Sequence, residues 1–298
     1  MREAIVRDFS AIPGVEVVVC YDSRLPEPQG ARILIPVEIG TNPWELWAEC
    51  FASADALLLI APETEGVLTR LTQLASQYDA TLLGSYERAV GITSSKSFTA
   101  EILIAAGIPT IACYRWPDMP SIDSNAYVAK RDDGAGCEDS AYFESRADLD
   151  GWMQTRKLSH IVQPYLPGIA ASISILCKDG QAWLLSCNRQ KIELDASQFA
   201  YSGSILNDLH EYRQQFMEIA NQIAIAIPGL FGYVGIDLIV NGDEMHVLEI
   251  NPRLTTSYVG MHEATGLNPA RLILDLAYND AFVMPQLAYN RIEISLYE

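Results

Sequence analysis

The sequence predicts an α/β module of the doubly wound kind followed by a longer α+β region, and three observations carry that reading. At the N-terminal end short apolar runs alternate with amphipathic segments, the pattern of buried parallel strands joined by helices. Further on, strand-like runs come in pairs around Lys178-Asp179-Gly180 and Asn241-Gly242, the pattern of hairpins. Finally, 49% of the 298 residues are hydrophobic and 19% charged, enough apolar material for more than one core.

Taken in order, residues 15–20 and 54–60 read as strands, 43–52 and 66–78 as helices, and 80–84 as another strand. Such a module normally opens on a strand, yet residues 2–9 have the spacing of a helix. The expectation is that an upstream strand belongs to the gene, or that a strand from elsewhere completes the first sheet. A helix is expected to run to Ala106, capped by Thr93 or Ser94 and ended by Gly107. Short strands at 110–114 and 126–130, a polar loop at 131–140, a helix at 147–156 and a strand at 160–165 form a small α+β unit. Pro164 and Pro167-Gly168 mark its hinge. Strands at 171–177 and 182–188 follow, then a helix over 209–226. Strands at 232–240 and 245–251 come next, and a helix at 268–277 with Asn268 as cap and Pro269 in its first turn.

Several function classes are excluded by composition. Net charge is −18, from 38 acidic against 20 basic residues, and no cluster of Lys and Arg exists to displace counterions from nucleic acid or an anionic membrane. No apolar stretch has the length of a membrane span, and the opening Met1-Arg2-Glu3-Ala4 lacks the apolar core of a signal peptide. The six cysteines show neither Cys-x-x-Cys nor metal spacing, which points to a reducing cytoplasm. The four histidines show no ligand spacing, and no Ser/His/Asp or Cys/His arrangement is readable.

Chemistry concentrates at Asp237 and at Glu249-Ile250-Asn251-Pro252-Arg253. Side chains two apart on a strand share a face, so Glu249 and Asn251 point the same way, and Asp237 on the preceding strand can meet them. Oxygen-bearing side chains converging on apolar strands suit a hard divalent cation, which takes carboxylates together with substrate phosphates. The competing reading is a plain antiparallel pair with a wet polar face. Register supplies a test. A two-residue turn at Asn241-Gly242 would set Asp237 opposite His246 and turn it away from Glu249. The metal site therefore requires a longer loop or a β-bulge.

Lys130 ends an apolar strand just before Asp132-Asp133-Gly134-Ala135-Gly136-Cys137, where a glycine-bearing turn lets backbone N–H groups approach phosphate; a plain turn is the rival reading. Arg189, in the run Asn188-Arg189-Gln190, is the best candidate to clamp a substrate carboxylate through its guanidinium fork, against the alternative of a surface Arg. Phe199 and Tyr201 could line an acceptor pocket or belong to a core.

In combination, the Thr93-x-x-Lys96 helix, the Ala106-Gly107-Ile108-Pro109-Thr110 turn, the Lys130 strand with its glycine loop, the Gln163-Pro164-Tyr165-Leu166 linker and the Asp237/Glu249/Asn251 set resemble the ATP-grasp superfamily over residues 93–271. The resemblance implies two α+β subdomains clamping ATP, preceded by a Rossmann-like domain. The divisions are then residues 1–91, a small lid subdomain over 92–166 and a large subdomain over 167–298. It implies that Lys96 and Lys130 contact ATP phosphates and that the loop over 132–137, with Gly134, Ala135 and Gly136, closes over them. It implies that Gln163, Pro164, Tyr165 and Leu166 present backbone to adenine. Asp237, Glu249 and Asn251 would hold Mg²⁺ (or Mn²⁺), and Arg253 would meet the γ-phosphate or an acyl-phosphate, with Asn251 and Arg189 beside it as catalytic candidates. Two positions depart from the pattern. Ala170 stands where many members place an acidic residue for ribose, and Gly235 stands where the D-alanine–D-alanine ligases carry an Arg, which argues against that branch.

A narrower likeness lies in Asn251 to Tyr258, in Lys130 with Asp133 to Gly136, and in Ser186 to Gln190, which look like the tyramine–glutamate ligase group of methanofuran biosynthesis. Arg131 stands where that group often has Pro. The likeness implies small-molecule carboxylate and amine substrates, glutamate with tyramine or tyrosine, joined through an acyl-phosphate; a homodimer is compatible with it. The rivals are another amino-acid or dipeptide ligase and a nucleotide-binding regulatory protein without turnover.

Overall fold

The computed structural model describes residues 1–117, 119–122, 124–156 and 159–296. Helix α1 (Arg2–Ser10) forms where a helix was expected. It buries Ala4, Ile5 and Phe9 in the same core as Ala270, Ile273 and Leu276 of α9 (Pro269–Tyr278), far along the chain. Strands β1 (Val18–Asp22) and β2 (Ile33–Val37) pair in parallel, as do β3 (Ala56–Leu57) and β4 (Thr81–Leu82). β2 was not anticipated; Pro36 is tolerated there because β2 is an edge strand. Among the described residues the two pairs share no backbone hydrogen bond, so the expected single sheet is not formed. The strands expected at 54–60 and 80–84 are two residues each.

Helix α2 (Pro43–Ser53) is capped by Asn42, whose side chain accepts from the Trp44 N–H. It packs with α3 (Val67–Ala75) through Phe51, Leu68 and Leu71 in a separate small core. The short α4 (Glu87–Thr93) leads into α5 (Lys96–Ala105). The cap of α5 is Ser95, which accepts from the Phe98 N–H at 3.1 Å, and neither Thr93 nor Ser94. Thr93 instead closes α4 by donating to the Ala89 carbonyl. Gly107 follows the helix in the left-handed region (φ 71°), the expected stop.

The small α+β unit comprises β5 (Tyr114–Arg115), β6 (Tyr127–Arg131), β7 (Ala141–Phe143), α6 (Arg146–Met153) and β8 (His160–Pro164), paired antiparallel. The strand expected at 110–114 is displaced: Thr110 makes a lone bridge to Val247, and β5 begins only at Tyr114. Its core gathers Tyr127, Ala129, Phe143, Leu149 and Val162.

The remainder is built from β9 (Ile169–Lys178), β10 (Gln181–Asp195), β11 (Gln198–Leu206), α7 (Arg213–Ala226), β12 (Gly232–Asn241), β13 (Glu244–Asn251), α8 (Met261–Thr265), the α9 already named, and β14 (Ile292–Ser295). One sheet runs β13-β12-β9-β10-β11-β7-β6-β8-β5, with β14 on β11. Its two halves join where Gln198 lies opposite Ala141 and the Tyr142 N–H donates to the Ser197 carbonyl, a short joint between the large and small units. Ile173, Ile175 and Cys177 alternate onto one face against Phe216, Ala220 and Ile223 of α7, while Leu176, Leu185 and Tyr233 face α1, α8 and α9 on the other. Each such fully buried aliphatic contributes about 1.5–3 kcal/mol relative to exposure. The N-terminal module docks at Gly232, whose left-handed backbone (φ 68°) and missing Cβ admit the Leu83 carbonyl to 2.6 Å of where a Cβ would stand. No described helix is long and apolar enough to cross a membrane.

Candidate active site

The β12–β13 hairpin turns at Gly242-Asp243, so that Asn241 lies opposite Glu244, one residue later than an Asn241-Gly242 turn would place it. Uninterrupted, that register would put Asp237 opposite Leu248. A bulge intervenes: Leu238 pairs with Val247 and Asp237 pairs with Glu249, leaving Leu248 as the extra residue. The bulge demanded by a shared site is therefore present. Asp237, Glu249 and Asn251 all line one cavity between the large and small units. Asn251 Nδ2 donates to Asp237 Oδ2 at 3.3 Å, and Gln190 Nε2 donates to Asp237 Oδ1 at 2.9 Å. Gly235, opposite Asn251, has no Cβ; one there would stand 2.4 Å from Thr255 Cγ2, so this glycine lets the Thr255-Thr256-Ser257 segment lie over the sheet.

At the cationic end, Lys96 Nζ stands 3.2 Å from Glu249 Oε2 and donates to the Gly134 carbonyl. Lys130 lines the same wall, with its ammonium held below its ordinary value by burial first and by neighbouring Lys96. Asp132, expected in the loop over the phosphates, is instead pinned to the start of α5. It accepts from the Ser97 N–H at 2.8 Å and from the Ser95 and Ser97 hydroxyls, which fixes Lys96 relative to Lys130. Gly134, Gly136 and Cys137 line the cavity, the last two with left-handed backbone (φ 64° and 65°). Ala135 does not; its carbonyl closes the turn by accepting from the Glu138 N–H.

The two carboxylates are not equivalent. Burial, then the facing charge of Glu249, push the Asp237 carboxyl well above its ordinary value. Burial acts on Glu249 too, but Lys96 and then Lys130 outweigh it, and Glu249 is held low. Among the described residues no cluster of three His, Cys, Asp or Glu side chains forms; the two carboxylates and the Asn251 amide are oxygen donors of the kind a hard cation takes when phosphates and water complete its shell.

Gln163, Pro164, Tyr165 and Leu166 line the same cavity, together with the apolar Val128, Ile111 and Leu248. Gln163 is buried, its amide donating to the Ile111 carbonyl and to Cys113 Sγ. Ala170 lines the cavity and brings no carboxylate to it. Beside the carboxylates, Ile192 lies opposite Tyr201, and with Phe199 two residues along they form an apolar wall; the Tyr201 hydroxyl is 3.0 Å from Ser204 Oγ.

Arg253 lines the cavity and pairs with Glu63 of the N-terminal module, Nη2 to Oε2 at 2.7 Å. Arg189 does not reach the cavity. Adjacent strand residues face opposite ways, so Gln190 points inward while Arg189 pairs with Asp208 at 2.6 Å, an ion pair that Arg291 shares. Asn188, buried on β10 two residues before Gln190, donates to Ser172 and Ser257. Glu63 carried no sequence signal, because its partner lies 190 residues away.

The chain belongs to the ATP-grasp family: the ATP-grasp domain model matches residues 93–257, and a pre-ATP-grasp domain model matches residues 15–90. Among curated proteins it resembles the tyramine–L-glutamate ligase of Methanocaldococcus fervens, 29% identical over 226 residues, 76% of this chain and 67% of that protein. The chain thus spans about two thirds of the length of the curated relatives it matches. Among solved structures, an L-amino acid ligase from Bacillus licheniformis superposes with a TM-score of 0.74 at 18% identity, covering 92% of this chain and 71% of that one. The biotin carboxylase domain of Hydrogenobacter thermophilus 2-oxoglutarate carboxylase, solved with MgADP, gives 0.77 at 14% identity, covering 96% and 69%. These two likenesses show the fold.

Proposed function

We propose that the chain is an ATP-dependent carboxylate–amine ligase joining a glutamate-class carboxylate to an aromatic amine of the tyramine class. The observation that carries the reading is one continuous cavity. Its lining brings together Gln163–Leu166, the cations Lys96, Lys130 and Arg253, the Asp237/Glu249/Asn251 cluster, and the wall of Ile192, Phe199 and Tyr201. The substrate classes are supported by the ligase relative and by that wall, since an aromatic ring packs well on aromatic and branched side chains.

ATP lies with adenine against Gln163–Leu166 and its phosphates against Lys96 and Lys130, while Gly134, Gly136 and Cys137 cover them. The division into a lid over 92–166 and a larger unit over 167–298 is part of this reading. Asp237, Glu249 and Asn251 would hold Mg²⁺, which supplies charge neutralisation of the phosphates when bound. The substrate carboxylate attacks the γ-phosphorus, ADP leaves, and the amine then displaces phosphate from the acyl-phosphate. Arg253 orients the transferring group, and Gln190 fixes the Asp237 carboxylate. Lys96 now on Glu249 marks where positive charge is wanted before nucleotide arrives.

Trapping tests this directly. With Mg·ATP, glutamate and hydroxylamine in place of the amine, the reading expects glutamyl hydroxamate in step with ADP. ADP without hydroxamate, or neither, would overturn the acyl-phosphate route.

A further inference from the structure

Building on the ligase reading above, we propose that Glu63 is a positioning residue for Arg253, so that the N-terminal module forms part of the reaction site. Glu63 is 6% exposed and pairs with a guanidinium that faces the cavity. The pair is end-on: Glu63 Oε2 meets Nη2 alone, Nη1 donates to the Leu254 carbonyl, and Glu63 Oε1 and Arg253 Nε are both buried without a hydrogen-bond partner. Held through both tips, the guanidinium has its plane and direction fixed, and Nε remains a buried donor without a protein partner. The cavity also holds Asp237 and Glu249, to which a free guanidinium would be drawn. Glu63 thus gives Arg253 a partner away from the metal carboxylates.

The same loop grips the glycine loop. Thr64 Oγ1 donates to the Asp133 carbonyl at 3.2 Å, and the Glu65 N–H donates to Asp133 Oδ2 at 2.9 Å. Glu65 holds a left-handed backbone (φ 56°), a conformation a non-glycine residue keeps where surrounding contacts fix it. One short loop, Glu63-Thr64-Glu65, therefore ties together the two structures assigned to the phosphates: Arg253 on the large unit and the root of the glycine loop on the small one. An arginine acting on a transferring phosphoryl group depends on orientation, and small misplacements cost about 10²-fold in rate.

The test compares wild type, Glu63→Gln, Glu63→Asp, Arg253→Lys and the Glu63→Gln/Arg253→Lys double variant. Three readouts are taken: thermal unfolding, affinity for Mg·AMP-PNP against Mg·ADP, and ADP release with glutamate and tyramine. Positioning predicts that Glu63→Gln lowers kcat by about 10²-fold and the preference for AMP-PNP over ADP by three- to tenfold, with Glu63→Asp intermediate. In the Arg253→Lys background Glu63→Gln should cost little more; a merely structural Glu63 would give losses that multiply. Should Glu63→Gln fail to fold, Glu63→Asp, which keeps the charge and shortens its reach, carries the comparison. A folded variant with wild-type kcat and nucleotide preference would overturn the proposal. If wild type binds AMP-PNP yet turns over no substrate pair, the ligase reading alone falls, and nucleotide preference still decides Glu63.

Discussion

Asp237 lies directly opposite Glu249 because Leu248 is squeezed out of the β12–β13 ladder. Shift the pairing by that one residue and Asp237 would face an apolar side chain, with the carboxylates on opposite sides of the hairpin. A single bulge thus creates the cluster, and Lys96 at 3.2 Å from Glu249 offsets only part of its charge.

The first prediction concerns that cluster. Asp237→Asn or Glu249→Gln should lower kcat by roughly 10²–10³-fold while the protein stays folded, since each removes charge that would hold the metal on the phosphates. Circular dichroism and ADP release at limiting Mg²⁺ check it. Wild-type turnover in either variant would remove the metal assignment.

Gln190 should tune the same site at one remove. Its amide holds Asp237 Oδ1 at 2.9 Å, so Gln190→Leu frees that carboxylate to rotate. The expected outcome is a 10–100-fold higher Mg²⁺ requirement at little change in thermal stability. A Mg²⁺ titration of ADP release reads it, and an unshifted curve would count against the role.

The apolar wall predicts selectivity. Tyr201→Ala should raise the KM for tyramine by about tenfold and leave the KM for ATP unchanged, because it removes contact with the amine's ring alone. Equal effects on tyramine and an aliphatic amine would show that the wall does not read the ring.

Arg189 is predicted to matter for stability and not for turnover. Arg189→Gln should cost about 1 kcal/mol at neutral pH and leave kcat and KM within about threefold. Arg189, then Arg291, hold the Asp208 carboxyl below its ordinary value. A depressed folded-state value stabilises above the unfolded carboxylate range, and that contribution is lost as pH falls through the folded value. The gap between wild type and variant, measured by denaturant melts, should therefore close in acid. A gap that widens in acid would refute the assignment.

Much of the site was legible because strand periodicity is short: Glu249 and Asn251 two apart must share a face, and the parity of the hairpin dictated that something irregular separate Asp237 from the turn. Lys96, Lys130 and the Gln163–Leu166 segment were legible as pieces of a resemblance, and all four linker residues and both lysines line the cavity. Arg189 misled because a fork-shaped cation is chemically attractive while the inward face of β10 at that point belongs to its neighbour Gln190. The full length of β10, and β11 after it, were hidden by Gln190, Lys191, Glu193 and Asp195, whose polarity reads as a loop although the strand continues into the solvent-facing hairpin. Glu63 was beyond reach for another reason. Its meaning lies in an ion pair made across the whole fold, and no local pattern announces such a contact.

The most direct test of the central claim is ADP release with Mg·ATP across a panel of amino acids, each with and without tyramine or tyrosine. The account predicts ADP formation that depends on glutamate and an aromatic amine together, with a γ-glutamyl amide of matching mass. Release of AMP, or no nucleotide turnover with any pair, would contradict it.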